Sequence, residues 1–373
     1  MIHPGDFFEA LNKGGVRFFS GVPDSLLKNI CSYISDHTDR SNHIIAANEG
    51  NALSIGIGYH LSTGKLPLIY LQNSGLGNVV NPLLSLADPE VLSVPLLMMV
   101  GWRGEPGVKD EPQHSKQGRV TISMLEAMEI PYQVISPDDD VGAIRQSLVV
   151  LMQRSLQEKC PCAIVVRKGV FEPYQSCSLQ LFERPLLREQ AIRLIIDHLN
   201  PSDIVVSTTG LTSREMFENR EGHEKDLLVV GGMGHSGQIA LGVALQKPDR
   251  TVYCLDGDGA LLMHTGGLAI TANMGCSNYK HIVFNNSAHD SVGGQPTVCG
   301  NLDLSLVAKS MGYRWSACAS TETEMLSSVQ ALSTIEGPAF LEIHVRAGSR
   351  KNLGRPTISP TENKRAFMRF LDQ

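Results

Sequence analysis

Short apolar runs alternate with amphipathic stretches along the whole of this chain, and the alternation is played out twice. In the first half the runs at 16–20, 43–47, 66–71, 94–100, 132–135 and 162–166 read as strands, with helical stretches at 25–36, 50–62 and 139–158 between them. In the second half strands are expected at 203–207, 227–230, 251–255, 281–284 and 340–344, and helices at 188–199, 236–246, 265–274 and 304–311. Several of the runs are continuously apolar rather than alternating, which suits strands of a parallel sheet buried on both faces. Strand–helix alternation repeated in this way predicts the α/β class, with two doubly wound domains built on mainly parallel sheets. A length of 373 residues suits two such domains. The boundary falls in 171–185, where Pro173, Pro185 and polar residues interrupt the periodicity. This gives domains at 1–180 and 186–373, similar in size and without a short-period repeat.

The composition narrows what such domains act on. A formal net charge of −6 and 42% hydrophobic residues describe a globular chain with no basic footprint for nucleic acid. The longest apolar run, 91–102, contains Pro95 and is too short to cross a bilayer, so no membrane partner is expected. Asp6 and Glu9 stand where a secretory signal would need a basic-then-apolar segment, and a cytoplasmic protein is expected. The eight cysteines read as reduced, mostly buried thiols. Cys160-Pro-Cys162 lacks zinc-ligand spacing and receives no metal role.

The strongest chemical signal is Leu255-Asp256-Gly257-Asp258-Gly259-Ala260, which follows an expected strand. A later strand ends in Phe284-Asn285-Asn286, placing Asp258 and Asn286 28 residues apart. One strand–helix–strand unit fills that interval and brings both to the carboxyl ends of neighbouring parallel strands, where such sheets bind ligands. A carboxylate and an amide oxygen are hard ligands suited to Mg²⁺, which retains phosphate oxygens as further ligands. The glycines allow backbone N–H groups to approach those phosphates. Alone, Gly-Asp-Gly is a common turn; the Asn pair at this spacing lifts it above that reading. No Gly-x-Gly-x-x-Gly follows the first strand with an acid about 20 residues on, and no Walker loop is present.

These residues resemble the signature of thiamine-diphosphate-dependent enzymes. The resemblance implies thiamine diphosphate and Mg²⁺ as cofactors, with Asp258, Asn286 and the carbonyl of Ala288 holding the metal in a diphosphate-binding domain. Gly257, Gly259 and Ala260 would line the diphosphate. It also implies one glutamate in a pyrimidine-binding first domain, and Glu49 in Ala46-Ala47-Asn48-Glu49-Gly50-Asn51-Ala52 fits. A carboxyl group there favours the imino tautomer of the aminopyrimidine, which can then take up the thiazolium proton. In Gly231-Gly232-Met233-Gly234-His235, Met233 matches the apolar residue that props the cofactor in its bent shape, with Gly234 and His235 beside it. Asn73 and Gly75, in Gln72-Asn73-Ser74-Gly75-Leu76-Gly77-Asn78, match the loop near the pyrimidine, and Thr209 and Gly210 a loop near the diphosphate.

Larger members of that superfamily carry a middle domain for which this chain has no room. Over essentially the whole chain the sequence resembles the phosphonopyruvate decarboxylase family. The resemblance rests on Ser20-Gly21-Val22-Pro23-Asp24-Ser25, Asp110-Glu111-Pro112-Gln113-His114, Gly231-Gly232-Met233-Gly234-His235, His289-Asp290-Ser291-Val292-Gly293-Gly294-Gln295-Pro296-Thr297 and Gly348-Ser349-Arg350. Ser287 departs from the expected glycine after the Asn pair. The implied reaction is decarboxylation of 3-phosphonopyruvate, a small anionic 2-oxo acid, to phosphonoacetaldehyde and CO₂ in phosphonate biosynthesis. The loop at 101–119 and the tail offer cations for the substrate anion, of which His114 and Arg350 are singled out, with Ser25 and Gln113 as further contacts. Asp24 is either a proton relay or a helix cap, and His114 is the other candidate proton donor. Glu49 and Asp258 lie on different domains, so a homodimer or homotetramer with the cofactor at the subunit interface is expected. Sulfopyruvate decarboxylase, a carboligase and a non-enzymatic module remain the alternatives.

Overall fold

Residues along the central strands alternate between two apolar layers, which explains why those strands carry no polar face. The computed structural model describes residues 1–177 and 182–373. On the strand Pro67–Gln72, Leu68 and Tyr70 enter one core while Ile69 and Leu71 enter another on the opposite face. On Val252–Gly257, Tyr253 and Leu255 take one face and Val252 and Cys254 the other. The apolar positions of these central strands are thereby desolvated on both faces, with helices covering each side of the sheets.

The chain divides into two compact units, Met1–Leu179 with Val292–Gln295, and Gln180–Ser291 with Pro296–Gln373. The segment expected to hold the boundary includes residues 178–181, which lie outside the described residues. The first unit holds β1 (Phe18–Gly21), β2 (His43–Ile45), β3 (Pro67–Gln72), β4 (Leu96–Gly101), β5 (Tyr132–Ile135) and β6 (Pro161–Val166). They form one parallel sheet in the order β2-β1-β3-β4-β6-β5. The second unit holds β7 (Ile204–Ser207), β8 (Asp226–Leu228), β9 (Val252–Gly257), β10 (Tyr279–Asn285), β11 (Trp315–Ala319) and β12 (Ala339–His344). Its order, β11-β12-β10-β9-β7-β8, is the same topology. In each unit the chain leaves its first strand toward one edge and returns to the other side, which creates a switch point at the carboxyl ends of the central strands.

The α/β class and the two parallel sheets stand as expected. Several elements were not anticipated. β11, with the sequence Trp-Ser-Ala-Cys-Ala, is an edge strand of weak β-formers and carries little signal. The helices Pro4–Lys13, Leu76–Pro82, Leu211–Asn219, Glu322–Thr334 and Pro360–Leu371 were also missed. The 101–119 segment is not one loop, because Pro112 occupies the first turn of a helix, Pro112–Ala127, that carries His114, Lys116 and Arg119. All eight cysteines are free; five are buried, while Cys276 and Cys318 are half-buried and Cys177 is exposed. No helix among the described residues is long and apolar enough to cross a membrane.

Candidate active site

In the first unit, four segments that follow β1, β2, β3 and β4 bring polar side chains to the carboxyl edge of the sheet. Glu49 opens the helix Glu49–Thr63, whose N-cap Asn48 accepts a hydrogen bond from the Asn51 N–H at 2.9 Å. A carboxylate at that terminus is favoured by the helix dipole. Glu49 is buried at 5% exposure, and Asn78 Nδ2 donates to its Oε2 at 2.6 Å. The carboxyl group occupies the space that a Cβ on Gly75 would need. Gly75 is therefore a cradle for Glu49, which accounts for its place after β3.

Asp24 repeats that device. It is fully buried, and its carboxylate fills the space of a side chain on Gly101 at the end of β4. Oδ2 accepts from the backbone N–H groups of Leu26 at 3.0 Å and Leu27 at 3.3 Å, which is the capping reading. Oδ1 is buried with no hydrogen-bond partner among the described residues, which leaves it free for the relay reading. Burial pushes the Asp24 carboxyl up to about 6, against the lowering effect of its backbone hydrogen bonds and of the Arg103 charge.

Arg103, one of the cations of the 101–119 segment and not one of the two singled out from the sequence, is the group that organises this edge. Its guanidinium pairs with Asp110 through Nε at 2.8 Å and Nη2 at 2.5 Å, and Nη1 donates to Ser25 Oγ at 2.7 Å. His114 lies nearby, half-buried, with Nδ1 unpartnered. Burial and the Arg103 charge hold its pKa down at about 4, so near neutrality it offers a neutral ring rather than a cation. Gln113 is half-buried on the same helix. The Asn73 side chain is used internally: it donates to the Arg103 carbonyl and to Thr121 Oγ1, and accepts from the Arg103 N–H. Its part in any ligand site is to tie the ends of β3 and β4 together.

In the second unit Asp258 and Asn286 follow neighbouring strands, paired in register up to Gly257 and Phe284. Asp258 is 3% exposed, and Thr297 Oγ1 donates to its Oδ2 at 2.5 Å. Burial raises its pKa to about 6, so an isolated charge there is costly and a divalent cation would offset it. Asn286 accepts from the Ala288 N–H at 3.0 Å, and its amide points to Asp290 at 3.4 Å. Ser287 adopts φ 57°, the left-handed region a glycine would take. Its hydroxyl secures that conformation by donating to Asn285 Oδ1 at 2.9 Å and accepting from Arg184 Nη2 at 2.9 Å.

The remaining expected residues gather around the same edge. Met233 Cε and the His289 ring both lie 3.4 Å from where a Cβ on Gly259 would stand. Gly234 has φ 89° and is packed against His264, the Ala260 carbonyl and Met263, so no other residue fits there. His235 is exposed and its ring stands edge-on to His264 at 4.4 Å. Gly257 N–H donates to Asp256 Oδ1, and Ala260 is buried in the helix that Asp258 opens. Thr209 Oγ1 donates to the Val230 carbonyl at 2.8 Å, and Gly210, at φ 92°, precedes the helix Leu211–Asn219. Arg350 stands apart from the expectation for it. It pairs with Glu189 at 3.2 Å and with Glu218, so its charge is already offset by two carboxylates and an anion must compete with both. Asn78, Gly101 and Thr297 were missed as site residues, although Asn78 and Thr297 lay within motifs that had drawn notice.

Comparison with known proteins matches each unit to one half of a single enzyme class. Residues 6–125 match the thiamine pyrophosphate enzyme N-terminal binding domain, and residues 209–343 match its C-terminal binding domain. The protein is thus a thiamine pyrophosphate (thiamine diphosphate) enzyme. It is 35% identical to phosphonopyruvate decarboxylases of Streptomyces hygroscopicus, covering 99% of this chain and 94% of that one, and of Streptomyces viridochromogenes, covering 100% and 95%. A sulfopyruvate decarboxylase of Methanosarcina acetivorans is 25% identical, covering 98% and 96%. The chain belongs to the phosphonopyruvate decarboxylase family.

Proposed function

We infer that this protein is a carboxy-lyase that uses thiamine diphosphate to convert 3-phosphonopyruvate to 2-phosphonoacetaldehyde and CO₂. The observation that carries the reading is 35% identity to two phosphonopyruvate decarboxylases along essentially the full length of both partners. We place the reaction in phosphonate biosynthesis and take Mg²⁺ as the metal. Bound thiamine diphosphate supplies the electron sink that accepts the pair left by departing CO₂.

The chain's own residues fit that chemistry on physical grounds. Glu49 Oε2 is occupied by Asn78, which leaves Oε1 as the atom that exchanges a proton with the pyrimidine. Asp258, Asn286 and the Ala288 carbonyl would hold Mg²⁺ and, through it, the diphosphate; a buried carboxylate raised to about 6 is suited to a cationic partner. Met233, seated over Gly259, would support the bent cofactor. Asp24 holds a proton below about pH 6 on a carboxyl group with an unpartnered oxygen, and serves as donor to the product carbon. Arg103, kept in place by Asp110 and Ser25, is the cation best placed beside Asp24 to attract a substrate that carries both a carboxylate and a phosphonate, and neutral His114 contributes a hydrogen bond. The protein works as a homodimer or homotetramer with the cofactor at the subunit interface.

Aldehyde release in the presence of thiamine diphosphate and Mg²⁺, measured side by side on phosphonopyruvate, sulfopyruvate and pyruvate, tests the reading. A preference for phosphonopyruvate that is abolished by a chelator is expected. The likeness to sulfopyruvate decarboxylase favours that activity as the second reading, and faster turnover of sulfopyruvate would establish it instead.

A further inference from the structure

Three side chains on one face of the second sheet converge on a single point that the reaction above does not use. β11 and β12 run parallel, and their register pairs Cys318 with Glu342. Parallel neighbours in register project to the same face, and so does His344, two residues beyond Glu342 on β12. His344 Nε2 lies 3.7 Å from Cys318 Sγ and 3.1 Å from Glu342 Oε1. The three ligand atoms all fall within 4.8 Å of one another.

Those separations are the edges of a small tetrahedron. With zinc–sulfur bonds of about 2.3 Å and zinc–nitrogen or zinc–oxygen bonds of about 2.0–2.1 Å, a tetrahedral centre sets sulfur and nitrogen about 3.6 Å apart, and nitrogen and oxygen about 3.3 Å apart. Ser320 Oγ lies 3.0 Å from His344 Nδ1 and can accept a hydrogen bond from its N–H, the tautomer that leaves the Nε2 lone pair facing Cys318 and Glu342. Glu342 is itself rigid. Its Oε2 accepts from the N–H groups of Leu304 and Ser305, and Oε1 accepts from Asn285 Nδ2 at 2.7 Å with a second lone pair remaining. The charges of Glu342, Asp303 and Glu324 act on Cys318, and the Arg184 guanidinium, which interacts with Cys318 and Glu342, opposes them; the balance of three carboxylates against one guanidinium favours a cation. Glu342 is fully buried, but the His344 side chain is 28% exposed and Cys318 is half-buried, so an ion can enter from solvent.

We propose that Cys318, Glu342 and His344 form a binding site for one tetrahedral, thiolate-accepting divalent cation of zinc chemistry, with water in the fourth position. The site is separate from the hard-ligand pair Asp258 and Asn286, whose oxygens suit Mg²⁺. It is linked to that region through Glu342, which holds Asn285, the residue before Asn286, and through the charge of Arg184, which acts on Asp258 as well as on Glu342 and Cys318. A cysteine thiol loses its proton on binding such an ion, so binding strengthens as pH rises.

Cobalt(II), a spectroscopic stand-in for zinc, tests this in the full-length protein with Mg²⁺ in excess and no thiamine diphosphate, so the outcome does not depend on the proposed reaction. The expected result is a thiolate-to-cobalt absorption that saturates at one equivalent per chain and is displaced by Zn²⁺. It should vanish in Cys318→Ser, and His344→Gln should bind at least ~10-fold more weakly. Circular dichroism establishes that both variants are folded; His344→Gln, at a half-exposed position, serves if Cys318→Ser is not. Absence of the band in the wild type overturns the site. So does its persistence in Cys318→Ser, which would point to the buried cluster of Cys254, Asp256 and His281, and so does unchanged affinity in His344→Gln.

Discussion

Asp24 and Glu49 are both buried carboxylates set against a glycine, yet their hydrogen bonds divide the work between them. Asp24 has one oxygen without a partner, and burial raises its carboxyl from an ordinary 3.8 to about 6. Between those values the native protein holds a proton that the unfolded chain has released, so stability falls as pH rises through this window. The gap corresponds to on the order of 3 kcal/mol, fully expressed above pH 6. Asp24→Asn removes the titrating group while its amide oxygen can still accept from Leu26 and Leu27. The stability of the variant relative to wild type should therefore rise by about that amount between pH 4 and pH 7.5, while turnover at neutral pH falls by roughly 10²-fold or more. Denaturant melts across that range check the first part; a pH-independent difference would show that Asp24 does not carry a raised pKa. Glu49→Ala, by contrast, should leave calorimetric binding of thiamine diphosphate nearly intact and lower turnover on the order of 10²- to 10⁴-fold. Turnover close to wild type would remove Glu49 from the reaction. Both acids could be singled out from their sequence motifs. What those motifs concealed was the setting: nothing local connects Glu49 to Asn78, or Asp24 to Gly101, because the fold alone brings them together.

At the level of elements, legibility followed the strength of the apolar signal. The central strands β3, β4, β6, β9 and β10 are desolvated on both faces and were found with small errors at their ends. β11 is an edge strand whose first four residues are only half-buried, and its Ser, Ala and Cys side chains do not advertise a strand. The 101–119 segment was misjudged because its cations and glycines suggest a loop, whereas Pro112 starts a helix whose polar face hides the 3.6-residue period. Ser287 was the one noted departure from the family pattern, and its left-handed backbone is secured by side-chain hydrogen bonds where glycine would need none. The turn after β3 supplies a direct test. Gly75→Ala places a methyl group against the Glu49 carboxyl, which Asn78 holds and which cannot swing away without breaking that hydrogen bond. Turnover should fall at least ~10-fold with little change in thermal stability. Ser74→Ala, one position earlier on an exposed side chain, is the control and should stay near wild type.

Across the whole chain, the same strand order occurs twice, and each copy brings its own core. The first unit is built on two apolar clusters, one on each face of its sheet, and the second unit on two others. Neither pair of clusters borrows residues from the other unit, so each has the means to fold on its own. A chain cut between residues 179 and 180 and produced as two co-expressed pieces should therefore yield two folded polypeptides. If the reaction needs Glu49 from the first unit and Asp258 from the second at one cofactor, neither piece alone should release aldehyde, and the mixture should recover it. Activity in an isolated piece would mean that one unit holds a complete site, and the division of labour between Glu49 and Asp258 would be wrong. Two folded pieces that co-purify yet stay inactive together would instead locate an essential constraint in the covalent link itself. Size-exclusion chromatography of the intact protein completes the argument, because a monomer with full turnover is incompatible with a cofactor shared between subunits.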